Sequence, residues 1–252
     1  MAMAVTTTAN TAGIMSTESD RGRWLQWGLA VAGLLVGGLL VVSAVPRIAA
    51  YWLVLPASAS LDAIDEGREI SLENAEAAFR SYSEALAWRP EDPTLREDRA
   101  RLVSRLARLD PGAADRWKEL AVEDLRQTAA LSPGNGTAWA RLAEAELEAG
   151  APVEKILPYL RLARLTAPRR ASALLPQLSI VMRHWEAMPD EMRTHALAGI
   201  KSFWTRRAIR PLLVSIYLDA GFEARAAFRE RLGENERALR DFDRLVASSL
   251  DR

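Results

Sequence analysis

The sequence contains no cysteine. That absence excludes disulfide bonds, thiolate metal sites and a cysteine nucleophile. It also removes the acylated cysteine that holds a bacterial lipoprotein to its membrane, so any membrane attachment must come from the polypeptide itself. Lysine is scarce as well, since it occurs only at Lys118, Lys155 and Lys201. Nearly all positive charge is therefore arginine, and usage this rich in alanine and arginine is typical of a GC-rich bacterial coding sequence.

An excess of charge of either sign is also missing, because 33 basic residues balance 33 acidic ones. A nucleic-acid surface normally shows a clear basic excess, so a nucleic-acid partner is not expected. Glycine and proline are sparse, and no stretch alternates apolar and polar residues with the period of a strand. Alanine, leucine, glutamate and arginine, which favour helices, dominate. The predicted fold class is all-α.

Residues 23–46 are predicted to form a single transmembrane helix. Within them, the run from Trp24 to Val45 carries no charge and spans about 33 Å, against about 30 Å of bilayer hydrocarbon. Its leucines and valines contribute on the order of −3 to −7 kcal/mol to insertion. The alternatives are a cleaved signal peptide and a buried core helix. The run is longer than the apolar core of a signal peptide, and it lacks the polar face of a soluble helix.

Flanking charges predict the orientation of this segment. Arg21 and Arg23 precede it, whereas Arg47 follows it and the next positive charge is Arg68. Positive residues favour the cytoplasmic side, so the N-terminus is predicted in the cytoplasm. The chain after Val45 is then predicted in the periplasm, with the protein held in the bacterial inner membrane.

The predicted transmembrane helix has a tail before it and a connector after it. Residues 1–22 are rich in threonine and serine and are expected to be a disordered cytoplasmic tail. Residues 47–60 are expected to be a juxtamembrane connector that lies at the interface or lengthens the helix. Gly33 and Gly37 form a small-xxx-small pattern, which predicts a helix-pairing site and a homodimer in the membrane. Glycine is common in membrane helices, so the alternative is a pattern without pairing.

The stretch from Trp139 to Pro168 combines large, small and turn-forming residues in a fixed order. Gly150 is expected in a turn that needs a residue without Cβ, and Pro168 is expected to end the second helix. The spacing of that second helix recurs twice upstream, closing at Pro133 and Pro90. The interval from Pro133 to Pro168 is close to a repeat period of about 34 residues. The recurring sets are Ile156, Leu160, Ala163 and Pro168; Ala121, Leu125, Thr128 and Pro133; and Ala78, Tyr82, Ala85 and Pro90.

This pattern resembles the tetratricopeptide repeat (TPR), a helix–turn–helix unit that stacks on copies of itself. The resemblance implies an α-solenoid of antiparallel helix pairs over residues 61–168, with residues 169–252 as degenerate repeats or a cap. Glu146 departs from it where an aromatic is expected, and Ile156 where a small residue is expected. Residues 61–70 carry no tryptophan or Leu-Gly pair. The alternative is an all-helical domain whose helices happen to end in proline.

A TPR stack implies a concave surface that holds another molecule. Its inner positions come mainly from the first helices, and in the best repeat these are Ala140, Arg141, Glu144 and Glu148. Some TPR domains clamp a terminal carboxylate with lysine, arginine and asparagine at such positions. Glu144 and Glu148 oppose that use. A mixed-charge groove for a protein segment or helix is expected.

Helices are also predicted in the C-terminal part. One begins near Pro189 and buries a stripe at helical spacing, and Pro211 opens the next, with a second set facing inward. Two more are predicted over Glu223–Leu232 and Glu234–Ser249. The stripe is Met192, Ala196, Ile200, Phe203 and Trp204, and the second set is Leu212, Leu213, Ile216 and Tyr217.

Signs of enzyme chemistry are missing from the sequence. There is no phosphate-binding glycine loop, nucleophile elbow or metal-ligand cluster. His184 and His195 lie beside apolar stripes and are interpreted as structural. Asn135-Gly136-Thr137 fits a glycosylation sequon, but it also fits a turn with a helix N-cap, which is preferred. The expectation is a protein that is not an enzyme, with no catalytic, cofactor or metal site.

The predicted function is that of an inner-membrane-anchored periplasmic scaffold for a protein partner in the cell envelope. The stretch from Met182 to Pro189, with the following helix ending at Phe203-Trp204, resembles segments of TPR proteins of surface-polysaccharide assembly. That resemblance implies a partner from O-antigen or exopolysaccharide assembly and export. The alternatives are a chaperone-type accessory protein of the secretion translocon or of cytochrome maturation, and an accessory subunit of a membrane transferase.

Overall fold

The computed structural model of the chain describes residues 16–66 and 68–250, with side chains from Trp27 onwards except at position 65. Throughout this part of the chain the regular structure is helical and no strand occurs, so the predicted all-α class is confirmed. The chain divides into a unit that ends at Trp52 and a unit that begins at Leu53. The α-helices are α1 (Ser16–Val54), α2 (Ser58–Asp65), α3 (Leu72–Trp88), α4 (Pro93–Leu109), α5 (Ala114–Leu131), α6 (Gly136–Glu148), α7 (Val153–Thr166), α8 (Ala171–Arg183), α9 (Asp190–Ala198), α10 (Ile200–Trp204), α11 (Arg210–Leu218), α12 (Phe222–Gly233) and α13 (Glu236–Leu250).

The helix α1 is long and apolar enough to cross a membrane. Every residue from Trp27 to Ser43 is exposed, so the apolar surface of this stretch has no protein cover in the described chain. A helix that shows apolar side chains on all sides is unsuited to water. The composition therefore agrees with the predicted transmembrane segment. The side chain of Trp24, at its start, lies outside the described ones.

One of the two predicted segments beside α1 differs from the structure, and the other takes one of its two predicted forms. Residues 16–22, expected in a disordered tail, begin the helix, while residues 1–15 lie outside the described part. The predicted connector lengthens the helix, as one of its two predicted forms, because α1 runs through Pro46 to Val54; a 3-10 turn and α2 follow. Proline inside a helix removes one hydrogen bond without having to end it, since good helix formers surround it here.

Proline ends the helices where the spacing predicts. The last residues of α3, α5 and α7 lie two positions before Pro90, Pro133 and Pro168. A proline ring clashes with an α conformation in the residue before it, which therefore leaves the helix. Those three preceding residues share one backbone conformation. Their φ and ψ angles are −138° and 73° at Arg89, −138° and 70° at Ser132, and −143° and 58° at Ala167.

The starts of α4 and α6 are capped by acidic or amide side chains. Asp92 Oδ1 accepts hydrogen bonds from the backbone N–H groups of Thr94 and Leu95, at 3.0 and 3.2 Å. Asn135 Oδ1 accepts from the N–H groups of Thr137 and Ala138, at 3.1 and 3.3 Å. Such caps satisfy donors that have no partner inside the helix. The preferred N-cap interpretation of Asn135 is thereby confirmed.

Glycine has a required role at both ends of α6. A Cβ at Gly136 would lie 2.5 Å from Ala167 Cβ, so only glycine lets α6 approach the end of α7 this closely. Gly150 has a φ of +89°, a conformation that other residues rarely adopt. Its N–H donates to Leu147 O and the next N–H donates to Glu146 O, both at 2.9 Å. This Schellman closure confirms that Gly150 forms the predicted turn.

Ion pairs with buried carboxylates join the helices α4 to α7. Asp124 on α5 is 1% exposed and accepts two hydrogen bonds from Arg99 on α4, at 2.7 and 2.8 Å. Glu146 on α6 is 3% exposed and accepts from Arg126 on α5 at 2.6 Å and from Lys155 on α7 at 2.8 Å. Glu146 thus links three helices through its charge. It does so at the position where the TPR pattern expects an aromatic residue.

Aromatic rings fill the core of the C-terminal helices. Phe242 is 0% exposed and lies 4.9 Å from Tyr217, 5.3 Å from Phe228 and 5.6 Å from Trp204, measured between ring centroids. The contacts with Tyr217 and Trp204 are edge-to-face, and contacts of this kind add to the free energy gained by burial. The rings connect α10, α11, α12 and α13 into one apolar cluster.

The C-terminal predictions are correct for burial but not for every boundary. All five residues of the predicted stripe are buried, yet their helix divides at Gly199 into α9 and α10. The prediction that Leu212 faces inward is wrong, because this residue is 47% exposed and Val214 is buried instead. Leu213 and Ile216 are buried as predicted, and Tyr217 is partly buried.

Candidate partner-binding groove

A groove of about 360 Å³ lies on the unit that begins at Leu53. Residues of α2, α4, α5, α6, α8 and α11 line it, and α4 and α6 supply most of them. We call it the α4–α6 groove. Its polar lining consists of Arg101, Ser104, Arg108, Arg141, Glu144 and Glu148.

Two helix faces supply this polar lining. Arg101, Ser104 and Arg108 follow one another at three- and four-residue steps on α4, and the same steps separate the three polar residues of α6. Residues at these steps share one face of a helix. Seven residues at 1.5 Å each give a polar stripe about 10 Å long on each helix.

At one end of the groove the arginines are paired. Arg101 Nη1 lies 3.1 Å from Asp98 Oδ1, and Arg141 Nη1 lies 3.4 Å from Glu97 Oε1. Burial raises the pKa of Asp98 to about 6. The charge of Glu97 raises this pKa further, and the charge of Arg141 lowers it. Burial and the neighbouring Arg141 lower the pKa of Arg101 to about 10. This end is a compact set of compensated charges.

At the other end the carboxylates have no direct partner. Glu144 is partly buried and Glu148 is exposed, and neither forms a hydrogen bond or an ion pair with another described residue. Burial raises the pKa of Glu144 above its usual range, and the charge of Glu148 adds to that effect. Arg108, Arg141 and Arg183 act in the opposite direction from a distance. This end therefore has unused capacity to accept hydrogen bonds.

Apolar residues complete the groove between the charges. Ile64 comes from α2, Pro176 from α8 and Leu212 from α11, and Leu212 is 47% exposed. Binding sites combine such apolar walls with a few polar groups that orient the ligand. The groove can therefore hold an apolar side chain and direct charged groups on either side of it.

Three of the four predicted groove residues lie together in the groove, and the fourth does not line it. Arg141, Glu144 and Glu148 line the α4–α6 groove. Ala140 does not, because it is 0% exposed and belongs to a small core with Ala163, Ala167 and Ala173. Consecutive helix residues are separated by about 100° of rotation, so Ala140 and Arg141 lie on different faces. Its small side chain is used for close helix packing.

Sequence reasoning missed the α4 side of the groove and its apolar wall. A signal for Arg101, Ser104 and Arg108 was present, since they repeat on α4 the three- and four-residue spacing of the α6 residues. No sequence signal places Leu212 or Pro176 there, because their approach depends on how α8 and α11 pack.

The other predicted site residues lie elsewhere. Gly33 and Gly37 are exposed on α1, and an added Cβ at either would meet no atom within 4 Å. Pairing through them stays a prediction. Burial lowers the pKa of both His184 and His195, with Arg183 and Arg164 adding to the effect. Among residues 16–66 and 68–250, no group of three or more histidines and carboxylates could hold a metal ion.

No protein-family model matches the chain, and no curated protein matches its sequence. The groove offers charges and an apolar wall suited to binding.

Proposed function

We propose that the chain is a membrane-anchored, TPR-like scaffold without enzyme activity, whose α4–α6 groove binds a segment of a protein partner in the cell envelope. In this proposal α1 is a single-pass anchor in a bacterial inner membrane, with its N-terminus in the cytoplasm. The remaining helices lie in the periplasm. The chain uses no cofactor and binds no nucleic acid.

The observation that carries the proposal is the origin of the groove lining. Most of the lining comes from α2, α4, α6 and α8, which are alternate helices along the chain. In a stack of helix pairs these are the first helices, and they form the concave surface that binds ligands. The common backbone conformation before Pro90, Pro133 and Pro168 supports the same repeat interpretation.

The dimensions of the groove favour a peptide segment as the ligand. About 360 Å³ is enough for a few side chains and lies at the lower end of binding-site volumes. Its lining mixes three arginines, two glutamates and apolar residues, a composition that complements a folded or extended protein segment with both kinds of group.

The pathway is proposed from sequence resemblance. The stretch from Met182 to Pro189 favours a partner in O-antigen or exopolysaccharide assembly and export. An alternative partner set is unfolded secreted chains, which a chaperone attached near the secretion translocon or a cytochrome-maturation complex would bind. The two differ in how many different proteins occupy the groove.

Photo-crosslinking in membranes tests the groove. We would place p-benzoylphenylalanine at Leu212, which is 47% exposed on the groove wall, and at Glu236 on α13 as the control. A single crosslinked envelope protein at Leu212, missing at Glu236, is the expected result. A ladder of secreted proteins would favour the chaperone alternative. Identical products at both positions, or none, would reject the groove as the binding site.

A reporter fusion tests the topology separately. Alkaline phosphatase joined after Arg252 is expected to be active, because the enzyme folds only in the oxidising periplasm. Carbonate washing of the membranes should leave the full chain in the pellet, since a helix that crosses the bilayer resists extraction. A soluble chain, or activity of a cytoplasmic reporter alone, would contradict the anchor or its orientation.

A further inference from the structure

The two glutamates of the groove lie one turn apart on the same face of α6. Glu144 and Glu148 both line the cavity, and they are the lining carboxylates. The nearby acids Asp98 and Glu97 already have arginine partners, at 3.1 and 3.4 Å. Glu144 and Glu148 have none among the described residues. The groove thus has arginines with ion-pair partners at one end and carboxylates without them at the other.

Glu146, between them in sequence, provides the comparison. Burial alone would raise the pKa of its carboxyl, but hydrogen bonds from Lys155 and Arg126 outweigh that effect and hold the pKa below its usual range. Glu144 lacks such donors, and burial raises the pKa of its carboxyl instead. The helix α6 therefore carries one carboxylate, Glu146, that two cations stabilise, and another, Glu144, that has no cation in direct contact.

Glu144 in its charged form reduces the stability of the free protein. A buried acid whose pKa is raised on folding costs free energy at every pH above its unfolded pKa. Arg108, Arg141 and Arg183 lower that pKa from a distance, without a hydrogen bond to the carboxylate. A cation in direct contact with Glu144 and Glu148 would reduce both the burial cost and the repulsion between them.

We propose that Glu144 and Glu148 together bind a lysine or arginine side chain of the partner segment, whose neighbouring apolar residue packs against Leu212 and Pro176. This proposal rests on the proposed function, because it specifies the partner that the groove accepts. Arg101 and Arg141 already have carboxylate partners, so among the other charged lining residues Glu144 and Glu148 outnumber Arg108. A basic side chain forms ion pairs with both carboxylates at once, whereas an acidic one would add a third negative charge. Leu212 offers the exposed apolar surface beside them.

Synthetic peptides test which ligand charge the groove prefers. The chain has no cysteine, so Ser104→Cys provides a single site for a trifluoromethyl label inside the groove. The full chain in lipid nanodiscs would be titrated with short alanine–leucine peptides that carry a central lysine, norleucine or glutamate. The 19F signal should report binding of the lysine peptide about tenfold tighter than either of the others, equal to about 1.4 kcal/mol.

Two substitutions separate binding from folding. Glu144→Gln with Glu148→Gln should abolish the preference for lysine, whereas Glu236→Gln, on the 87% exposed side chain of α13, should preserve it. The same double variant should unfold at an equal or higher temperature, because it removes a buried charge and a repulsion. A purely structural role would predict the reverse, a less stable variant with unchanged preference for lysine.

The outcomes distinguish this proposal from the proposed function. Equal binding of the three peptides, tighter binding of the glutamate peptide, or no binding at all would overturn the assignment of a basic ligand. In that case, specific crosslinking at Leu212 would still support a protein-binding groove. Loss of specific crosslinking at Leu212 would instead reject the groove on which both depend.

Discussion

The helices α3 to α7 and the helices α8 to α13 are held together by different interactions. In the first group, buried polar residues link neighbouring helices, above all Asp124 and Glu146 with their arginine and lysine partners. In the second group, Gln177 is the buried polar residue among those described, and it donates only within its own helix. There the rings around Phe242 supply the buried contacts between helices, and the ion pair of Arg229 on α12 with Asp243 on α13 is partly exposed.

The difference bears on where a binding groove can form. An ion pair between helices has one favourable geometry, so it determines how α4, α5 and α6 lie against one another. Apolar contacts are not directional, and a core of rings determines volume more than register. The α4–α6 groove has its charged faces on the helices joined by ion pairs. From α8 and α11 it receives apolar surface only.

Breaking the aromatic core should have the largest effect. Phe242→Ala removes a ring that is 0% exposed, and we expect a loss of about 4 kcal/mol in the free energy of unfolding. Phe222→Ala, on a side chain that is 88% exposed, is the matched control and should change it by less than about 0.5 kcal/mol. Denaturant unfolding followed by circular dichroism in detergent gives both values. Equal effects would contradict the burial pattern.

Breaking the ion-pair network should have the second largest effect. Asp124→Ala leaves Arg96 and Arg99 largely buried without their carboxylate, and we expect a loss of about 3 kcal/mol. Asp115→Ala removes the partner of Lys118 from a side chain that is 95% exposed, and should cost about 0.5 kcal/mol. Hydrogen exchange should show the faster opening in α3 to α6. Faster exchange confined to α9 to α13 would contradict the division between the two groups.

The smallest expected effect is a pH dependence of the first group. The folded-state pKa of Glu146 is below its usual range, so its contribution is present above the unfolded pKa and is lost as pH falls through the folded one. Glu146→Gln should cost about 1 kcal/mol near pH 7, because Arg126 and Lys155 are each 47% exposed and screened by water. The difference should vanish in acid. Denaturant unfolding across pH measures it, with Glu236→Gln as control. A difference that persists in acid would contradict the charge assignment.

Local features of the fold could be predicted from sequence because their causes lie within a few residues. The helix ends before Pro90, Pro133 and Pro168, the cap at Asn135 and the turn at Gly150 each follow from the backbone chemistry of one residue. Residues 47–60 were predicted to lie at the interface or to lengthen the helix, and the sequence left this open because a proline inside a helix has two outcomes. Its neighbours decide between them.

The groove could be predicted only in part. The spacing of Arg141, Glu144 and Glu148 places them on one face of α6, and they line the groove as predicted. The prediction that Ala140 also lines the groove was wrong. A small residue suits a groove floor and a helix contact equally well. Because Gly136 lets α6 approach α7 closely, Ala140 is buried in the contact between these helices and does not line the groove.

The sequence by itself determined an all-helical chain with a long apolar helix near its start, since composition and periodicity depend on the solvent that each face meets. It also determined where the helices of the central part end. Only the tertiary structure decided which carboxylates have partners. Glu144, Glu146 and Glu148 are alike in sequence, but the packing of α5 and α7 supplies cations to Glu146 alone. Charge satisfaction depends on neighbours brought together by folding, and that leaves Glu144 and Glu148 available in the groove.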